Sequence, residues 1–94
     1  MKWPLVSILV PCFNHERYIE ESLLSVLKQD YDNFELIVVN DGSTDASAEK
    51  IEALRRSHDF QFYQQDNQGV SAALNHALRH ARGDLVVTHD SDDV

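Results

Sequence analysis

The stretch Leu85-Val86-Val87-Thr88-His89-Asp90-Ser91-Asp92-Asp93 joins a short apolar run to three carboxylates that fall within four residues. The apolar run predicts a buried strand from Leu85 to Thr88, and the acids follow its carboxyl end. Ligands of open parallel sheets bind at that edge. Clustered carboxylates repel one another unless a cation lies between them, and oxygen ligands suit Mg²⁺ or Mn²⁺. A solvated acidic tail is the alternative, and polar groups after other strands would decide between the two.

Three further strands are predicted upstream of this one. Residues Leu5 to Val10 form a near-continuous apolar run, which is typical of a parallel strand covered on both faces. Residues Phe34 to Val39 repeat that pattern. Residues Phe60 to Tyr63 alternate apolar with polar side chains, which favours an edge strand. The four strands begin near residues 5, 34, 60 and 85, at spacings that suit helical crossovers between parallel strands.

Amphipathic periodicity predicts a helix in each of the three intervals. The first spans about residues 16–29, with Asn14 as its N-cap. The second spans about residues 46–57. The third spans Val70 to Ala81 and ends before Gly83. The order β-α-β-α-β-α-β with right-handed crossovers predicts an α/β fold, a Rossmann-like parallel sheet with flanking helices and strand order 3-2-1-4.

Length and charge limit the possible functions of the protein. The 94 residues form one domain at most, and the net charge of −8 argues against nucleic acid as a partner. The single Cys12 excludes an internal disulfide, and the start of the chain is too short for a signal peptide or a membrane span. We therefore expect a cytoplasmic protein, and the end directly after the acids predicts truncation of a longer domain.

Four loops should open on one edge of this sheet, and each carries amides or carboxylates. They are residues 11–14, 40–45, 65–69 and 90–93. Their convergence predicts a site for a polar ligand. The three glycines form neither a P-loop nor a dinucleotide-binding motif, so a metal on the terminal acids would have to offset the charge of a phosphorylated ligand. A metal-dependent nucleotidyltransferase or phosphatase, and a non-catalytic doubly wound binding domain, remain alternatives, although a phosphatase would carry its acids after the first strand.

Five motifs, in order and at matching spacing, resemble the N-terminal half of the inverting family 2 glycosyltransferases. These are Val6 to Asn14, Ser25 to Gln29, Val38 to Asp45, Asn67 to Ala73 and Asp90 to Asp93. The resemblance implies the GT-A fold, a nucleotide-sugar donor that is very often a UDP-sugar, and Mn²⁺ or Mg²⁺. It also implies a carbohydrate or lipid-linked acceptor, a full-length protein that can associate with membranes, and a catalytic base outside residues 1–94.

The resemblance also implies roles for individual residues. Phe13 would flank the nucleobase, Asp41 would accept a hydrogen bond from uracil N3–H, and Asp92 would meet the ribose or sugar. The implied nucleotide-binding set is Pro11, Cys12, Phe13, Asn14, Asp41, Gln68, Gly69, Asn75 and Asp92, and the implied metal ligands are Asp93 and Asp90.

This sequence departs from the family pattern at several positions. Cys12 stands where Thr is common, Asn40 where Asp is common and Leu74 where Arg is common, and His89 takes a usually apolar position. The last departure puts the local packing before the acids in doubt. In addition, strand 4 should be an unprotected edge, which predicts self-association of the chain.

Overall fold

The structure, a computed structural model that describes residues 4–89, is built around a four-stranded parallel sheet. Three helices connect the strands in strict alternation. In chain order the elements are β1 (Val6–Cys12), α1 (Ile19–Leu27), β2 (Phe34–Asp41), α2 (Ser47–Arg55), β3 (Gln61–Gln65), α3 (Val70–Leu78) and β4 (Leu85–Thr88).

The strand order is β3-β2-β1-β4, which confirms the topology predicted from the spacing of the apolar runs. The central strand β1 pairs with β2 from Val6 opposite Phe34 to Cys12 opposite Asn40. On its other side, β1 pairs with β4. Strand β3 pairs with β2 at the edge of the sheet, the position that its alternating pattern predicted. All the pairs are parallel, so the loops that follow the strands emerge at one edge.

The sheet separates two apolar layers. Helices α1 and α2 cover one face, whose core includes Val10, Val38 and Ile51. Helix α3 covers the other face, where Ala73 and Ala77 pack against alternate strand residues such as Ile37. Because side chains alternate along a strand, the side chains of neighbouring residues at the end of β2 lie on opposite faces of the sheet.

Two helix-end predictions are wrong. Asn14 does not cap α1, which begins three residues later than predicted and has Tyr18 at its N-cap. The Asn14 side chain instead accepts a hydrogen bond from the next loop, and its φ of 54° is left-handed. Gly83 does not end α3, which stops at Leu78. Gly83 lies against β1, where an added Cβ would fall 2.6 Å from the Ser7 backbone nitrogen.

The prediction that β4 is buried is also wrong. Its apolar residues Leu85, Val86 and Val87 are 46–54% exposed, because the described helices cover β1, β2 and β3 rather than β4. This agrees with the expectation of an unprotected edge, and self-association through it stays a prediction. Within residues 4–89, no helix combines the length and the apolar character needed to cross a membrane.

Candidate functional site

The carboxylate of Asp41 organises the carboxyl edge of the sheet. Asp41 is the last residue of β2 and is only 3% exposed. Its Oδ1 accepts hydrogen bonds from Gln65 Nε2 and from the Gln68 backbone N–H, both at 2.8 Å. Its Oδ2 accepts from the Gly69 backbone N–H at 2.9 Å and from Asn67 Nδ2 at 3.2 Å. Four donors fill the four lone-pair positions of an ionised carboxylate.

These donors keep Asp41 ionised. Burial alone would raise the pKa of Asp41, but the hydrogen bonds from Gln65, Gln68 and Gly69 outweigh it and lower the pKa below the ordinary value of 3.8. The resulting negative charge lies at the N-terminus of α3, whose N-cap is Gly69. It satisfies backbone donors there that the helix cannot satisfy itself, and it is favoured by the helix dipole.

A second set of hydrogen bonds joins the loop after β1 to the loop after β2. Asn14 Oδ1 accepts from the Thr44 backbone N–H at 2.8 Å, and the Asn14 N–H donates to Ser43 Oγ at 3.0 Å. Asp45 Oδ2 accepts from the Glu16 backbone N–H at 3.2 Å. Burial would raise the pKa of Asp45, but hydrogen bonds from the Ser47 side chain and backbone and from Glu16 lower it. The two loops are therefore one hydrogen-bonded unit.

The start of the fourth loop is also fixed. The His89 backbone N–H donates to Leu9 O at 2.9 Å, which continues the pairing of β4 with β1. The His89 ring nitrogen Nε2 lies 3.0 Å from Oγ of Ser22, a fully buried residue of α1. The polar partner on α1 explains how a histidine occupies this position. The implied metal ligands Asp90 and Asp93, and Asp92 of the implied nucleotide-binding set, lie outside the described residues.

The remaining implied residues differ in what they present to this edge. Cys12 is 1% exposed and its side chain belongs to the core under α1 and α2, so the loop offers its backbone. Phe13 is 42% exposed, and Pro11 is half-buried at the end of β1. Gln68 and Gly69 contact Asp41 through their backbone, and Asn75 is exposed on α3.

Two residues that support Asp41 were missed by the site prediction. Gln65 and Asn67 were seen only as members of a polar loop or motif, yet both donate side-chain hydrogen bonds to Asp41. A signal for Gln65 was available in the register, because parallel pairing of β2 with β3 sets Gln65 opposite Asp41. No comparable signal existed for Asn67, whose position depends on the loop conformation.

An open depression lies on the other side of the same edge. It has a volume of about 520 Å³ and is lined mostly by polar residues, namely Asn40, Gly42, Ser43, Ala48, Gln64, Gln65 and Asp66. Asn40 and Gln64 are joined by a hydrogen bond of 3.4 Å across the β2 and β3 ends. The edge therefore has polar groups on both faces of the sheet.

The candidate metal ligands can be assessed by their chemistry. Among residues 4–89, no group of three or more His, Cys, Asp or Glu side chains could hold a metal ion. The carboxylates of Asp90 and Asp93 supply the oxygen donors that Mg²⁺ and Mn²⁺ prefer. The acidic segment therefore fits a divalent cation.

Solved structures share this architecture. A mannosyltransferase from Pyrobaculum calidifontis in complex with GDP-Man and Mn²⁺ superposes with a TM-score of 0.87 and 36% identity, over 95% of this chain and 28% of that one. S. aureus TarS 1-349 in complex with UDP-GlcNAc gives a TM-score of 0.84 and 37% identity, over 93% and 26% of the two chains. The fold is therefore that of the GT-A glycosyltransferases.

The sequence comparisons agree. An uncharacterized glycosyltransferase of Haemophilus influenzae is 43% identical over 99% of this chain, which spans 38% of the length of that relative. The chain spans 13% to 38% of the lengths of the curated relatives that it matches. Residues 7–94 match the sequence profile of Glycosyl transferase family 2. The chain therefore belongs to glycosyl transferase family 2.

Proposed function

We propose that this chain is the donor-nucleotide part of an enzyme that transfers a sugar from a UDP-sugar to an acceptor hydroxyl with inversion. Membership of the family and the nucleotide sugars bound by its structural neighbours support a nucleotide-sugar donor. The observation that carries the proposal is Asp41, an ionised carboxylate held at the edge where the loops converge.

Asp41 is the group that would recognise the nucleobase. An ionised carboxylate accepts strongly from a ring N–H, and uracil offers one such donor at N3. All four lone-pair positions are taken by the chain itself, so one donor has to leave. Asn67 makes the longest of the four bonds, at 3.2 Å, and its Nδ2 also donates to the Asp41 backbone oxygen at 3.1 Å. It can therefore yield its place on the carboxylate and still keep a partner.

This exchange favours uracil over guanine. Uracil presents a single N–H to a carboxylate, whereas guanine presents two, at N1 and at the exocyclic amine. Release of Asn67 frees one position on Oδ2. The other position on Oδ2 and both on Oδ1 stay occupied by two backbone N–H groups and by Gln65. A second ligand donor would require the loop itself to move.

The first loop would border the base. Phe13 is exposed and carries a flat apolar ring that can flank a nucleobase. Pro11, Cys12 and Asn14 set the path of this loop, since Cys12 is anchored in the core and Asn14 is joined to Thr44. Gln68, Gly69 and Asn75 would lie towards the nucleotide and its sugar, and Asp92 would contact the ribose or the donor sugar.

Asp93, together with Asp90, would hold the divalent cation. When bound, Mn²⁺ or Mg²⁺ would neutralise the diphosphate leaving group. A chain with a net charge of −8 otherwise repels a diphosphate, so metal and UDP should raise each other's affinity by the same factor. The catalytic base that deprotonates the acceptor hydroxyl would lie outside these 94 residues, and this chain alone would not transfer sugar.

Calorimetry of UDP binding, with and without Mn²⁺, tests the proposal. We expect Mn²⁺ to strengthen UDP binding to the wild type, Asp93→Asn to remove that dependence, and Asp41→Ala to weaken UDP binding whether or not metal is present. GDP should bind less tightly than UDP. Asp59→Asn, which removes one exposed charge before β3 at the opposite edge, is the matched control. Equal UDP affinity in all the variants, with and without metal, would contradict the site assignment.

A further inference from the structure

A hydrogen-bonded series of three side chains begins at the proposed base-binding carboxylate. Asp41 Oδ1 accepts from Gln65 Nε2 at 2.8 Å, and Gln65 Oε1 lies 2.9 Å from Nδ1 of His76. Gln65 ends β3, and His76 lies on α3. The connection therefore joins three elements, β2, β3 and α3, on one face of the sheet.

The direction of each hydrogen bond follows from Asp41. An ionised carboxylate only accepts, so Gln65 must present its amide nitrogen to Asp41. The Gln65 carbonyl oxygen then faces His76, and because that oxygen only accepts, His76 must carry its proton on Nδ1. Burial, with the nearby charges of Arg79 and His80, lowers the pKa of His76 and favours the neutral ring. The tautomer of His76 with its proton on Nδ1 satisfies both hydrogen bonds of Gln65.

Aromatic contacts fix the position of this ring. The Tyr63 ring lies 5.5 Å from the His76 ring and stacks on His80 at 4.0 Å, with 10° between the two planes. The Tyr63 hydroxyl donates to Gln61 Oε1 at 2.7 Å, which holds the phenol ring in turn. His76 is therefore supported from both β3 and its own helix, and it can hold Gln65 in one orientation.

We propose that His76 is a positioning residue for nucleotide binding, which acts through Gln65 to hold the Asp41 carboxylate in its ligand-accepting orientation. The inference rests on the proposed function. Gln65 is held at both ends of its amide, by His76 and by Asp41, whereas the Asn67 amide nitrogen has a second acceptor within reach. His76 thereby ensures that Asn67, and not Gln65, gives way to the nucleobase.

Two substitutions at one position separate hydrogen bonding from packing. His76→Asn places an amide N–H near the position of Nδ1, whereas His76→Leu keeps apolar volume and removes the donor. His80→Asn is the matched control, because it removes the other ring that contacts Tyr63 and makes no change to the Gln65 contacts. UDP affinity of each variant is measured by calorimetry, and ¹⁵N NMR of the wild-type imidazoles, without nucleotide, reports the His76 tautomer.

We expect His76→Leu to weaken UDP binding about fivefold, the effect of one net hydrogen bond. His76→Asn and His80→Asn should stay within about twofold of the wild type, and the NMR spectrum should show the proton of His76 on Nδ1. Equal losses in His76→Leu and His76→Asn, or unchanged affinity in His76→Leu, would overturn the positioning role. A proton on Nε2 would also overturn it.

Failure of the proposed function gives a different result. A wild-type chain that binds no nucleotide would refute UDP recognition, and the ligand role of His76 would fall with it. The tautomer of His76 in the nucleotide-free protein would still decide whether the hydrogen bonds from His76 through Gln65 to Asp41 exist. The two failures are therefore distinguishable in the same set of measurements.

Discussion

The two ends of β2 carry one carboxylate each, and they hold different kinds of partner. At the amino end, Glu35 accepts from the Ser7 hydroxyl of β1, from Gln61 Nε2 of β3 and from the Arg82 backbone N–H before β4. At the carboxyl end, all four donors to Asp41 lie between residues 65 and 69. Glu35 joins separate strands, whereas Asp41 holds one continuous segment, from the end of β3 to the N-cap of α3.

A glycine accompanies each carboxylate. The Gly83 N–H donates to Ser7 Oγ, and an added Cβ would fall 2.6 Å from the Ser7 nitrogen and 2.8 Å from Leu5 O. An added Cβ on Gly42 would fall 2.6 Å from the Asn67 nitrogen. The amino end thus fixes how β4 joins the sheet, and the carboxyl end fixes how closely a loop approaches. One end stabilises the scaffold, while the other forms the proposed nucleotide site.

The largest expected effect is that of Gly83→Ala. The new methyl group overlaps backbone atoms of Ser7 and Leu5, so we expect a loss of about 3 kcal/mol in the free energy of unfolding, measured by urea denaturation. UDP affinity of the protein that remains folded should match the wild type. Gly42→Ala is the counterpart, and it should reduce both stability and UDP affinity because it displaces the Asn67 backbone and with it the Gln68 and Gly69 N–H groups that hold Asp41. Identical behaviour of the two variants in UDP binding would remove the distinction between the ends.

The next effect separates the two carboxylates directly. Asp41→Asn places an amide group among four donors, and we expect it to destabilise the chain by about 2 kcal/mol, as is typical of hydrogen bonds to a charged group. It should also lower UDP affinity by more than tenfold. Glu35→Gln should lower stability by a comparable or smaller amount and leave UDP affinity unchanged. A loss of UDP binding in Glu35→Gln would argue that the amino end also shapes the site.

Acid unfolding should be sensitive to the carboxyl end. The pKa of Asp41 is lowered in the folded state, so the unfolded chain takes up the proton first as the pH falls. The stability that Asp41 contributes is therefore present above its ordinary pKa of about 3.8 and is lost as the pH falls towards the lower folded-state value. Urea denaturation across this range should show a shallower loss in Asp41→Asn than in the wild type. Parallel curves would show that Asp41 does not drive the transition.

The smallest effect belongs to the outer loops of the carboxyl end. Asn14→Gly removes the acceptor for the exposed Thr44 N–H but keeps the left-handed backbone accessible, so we expect a loss of about 0.5 kcal/mol. Asn14→Ala should cost about 1 kcal/mol more, because alanine also resists a φ of 54°. Thermal unfolding of both variants measures the difference. Equal stabilities would mean that the left-handed backbone carries no cost.

The arrangement of strands could be predicted from sequence because parallel crossovers restrict the choices. Spacing and the alternating pattern of β3 were enough for the order. The burial of β4 was mispredicted because an apolar run does not reveal which of its faces other elements cover. The role of Asn14 was mispredicted because the same polar side chain can cap a helix or join two loops. The four hydrogen bonds to Asp41 depend on the conformation of the segment from Gln65 to Gly69, which periodicity does not encode.

The same four donors bear on the chemical ageing of the protein. An aspartate followed by glycine is prone to rearrange to isoaspartate, because the glycine nitrogen can attack the side-chain carboxyl carbon with little steric hindrance. Asp41 precedes Gly42, but its carboxylate is held in place and kept ionised, which makes it a poor electrophile. Damage at this bond should therefore track the fraction of molecules that are unfolded, and stored protein should keep its site intact for as long as the loop from Gln65 to Gly69 stays closed over Asp41.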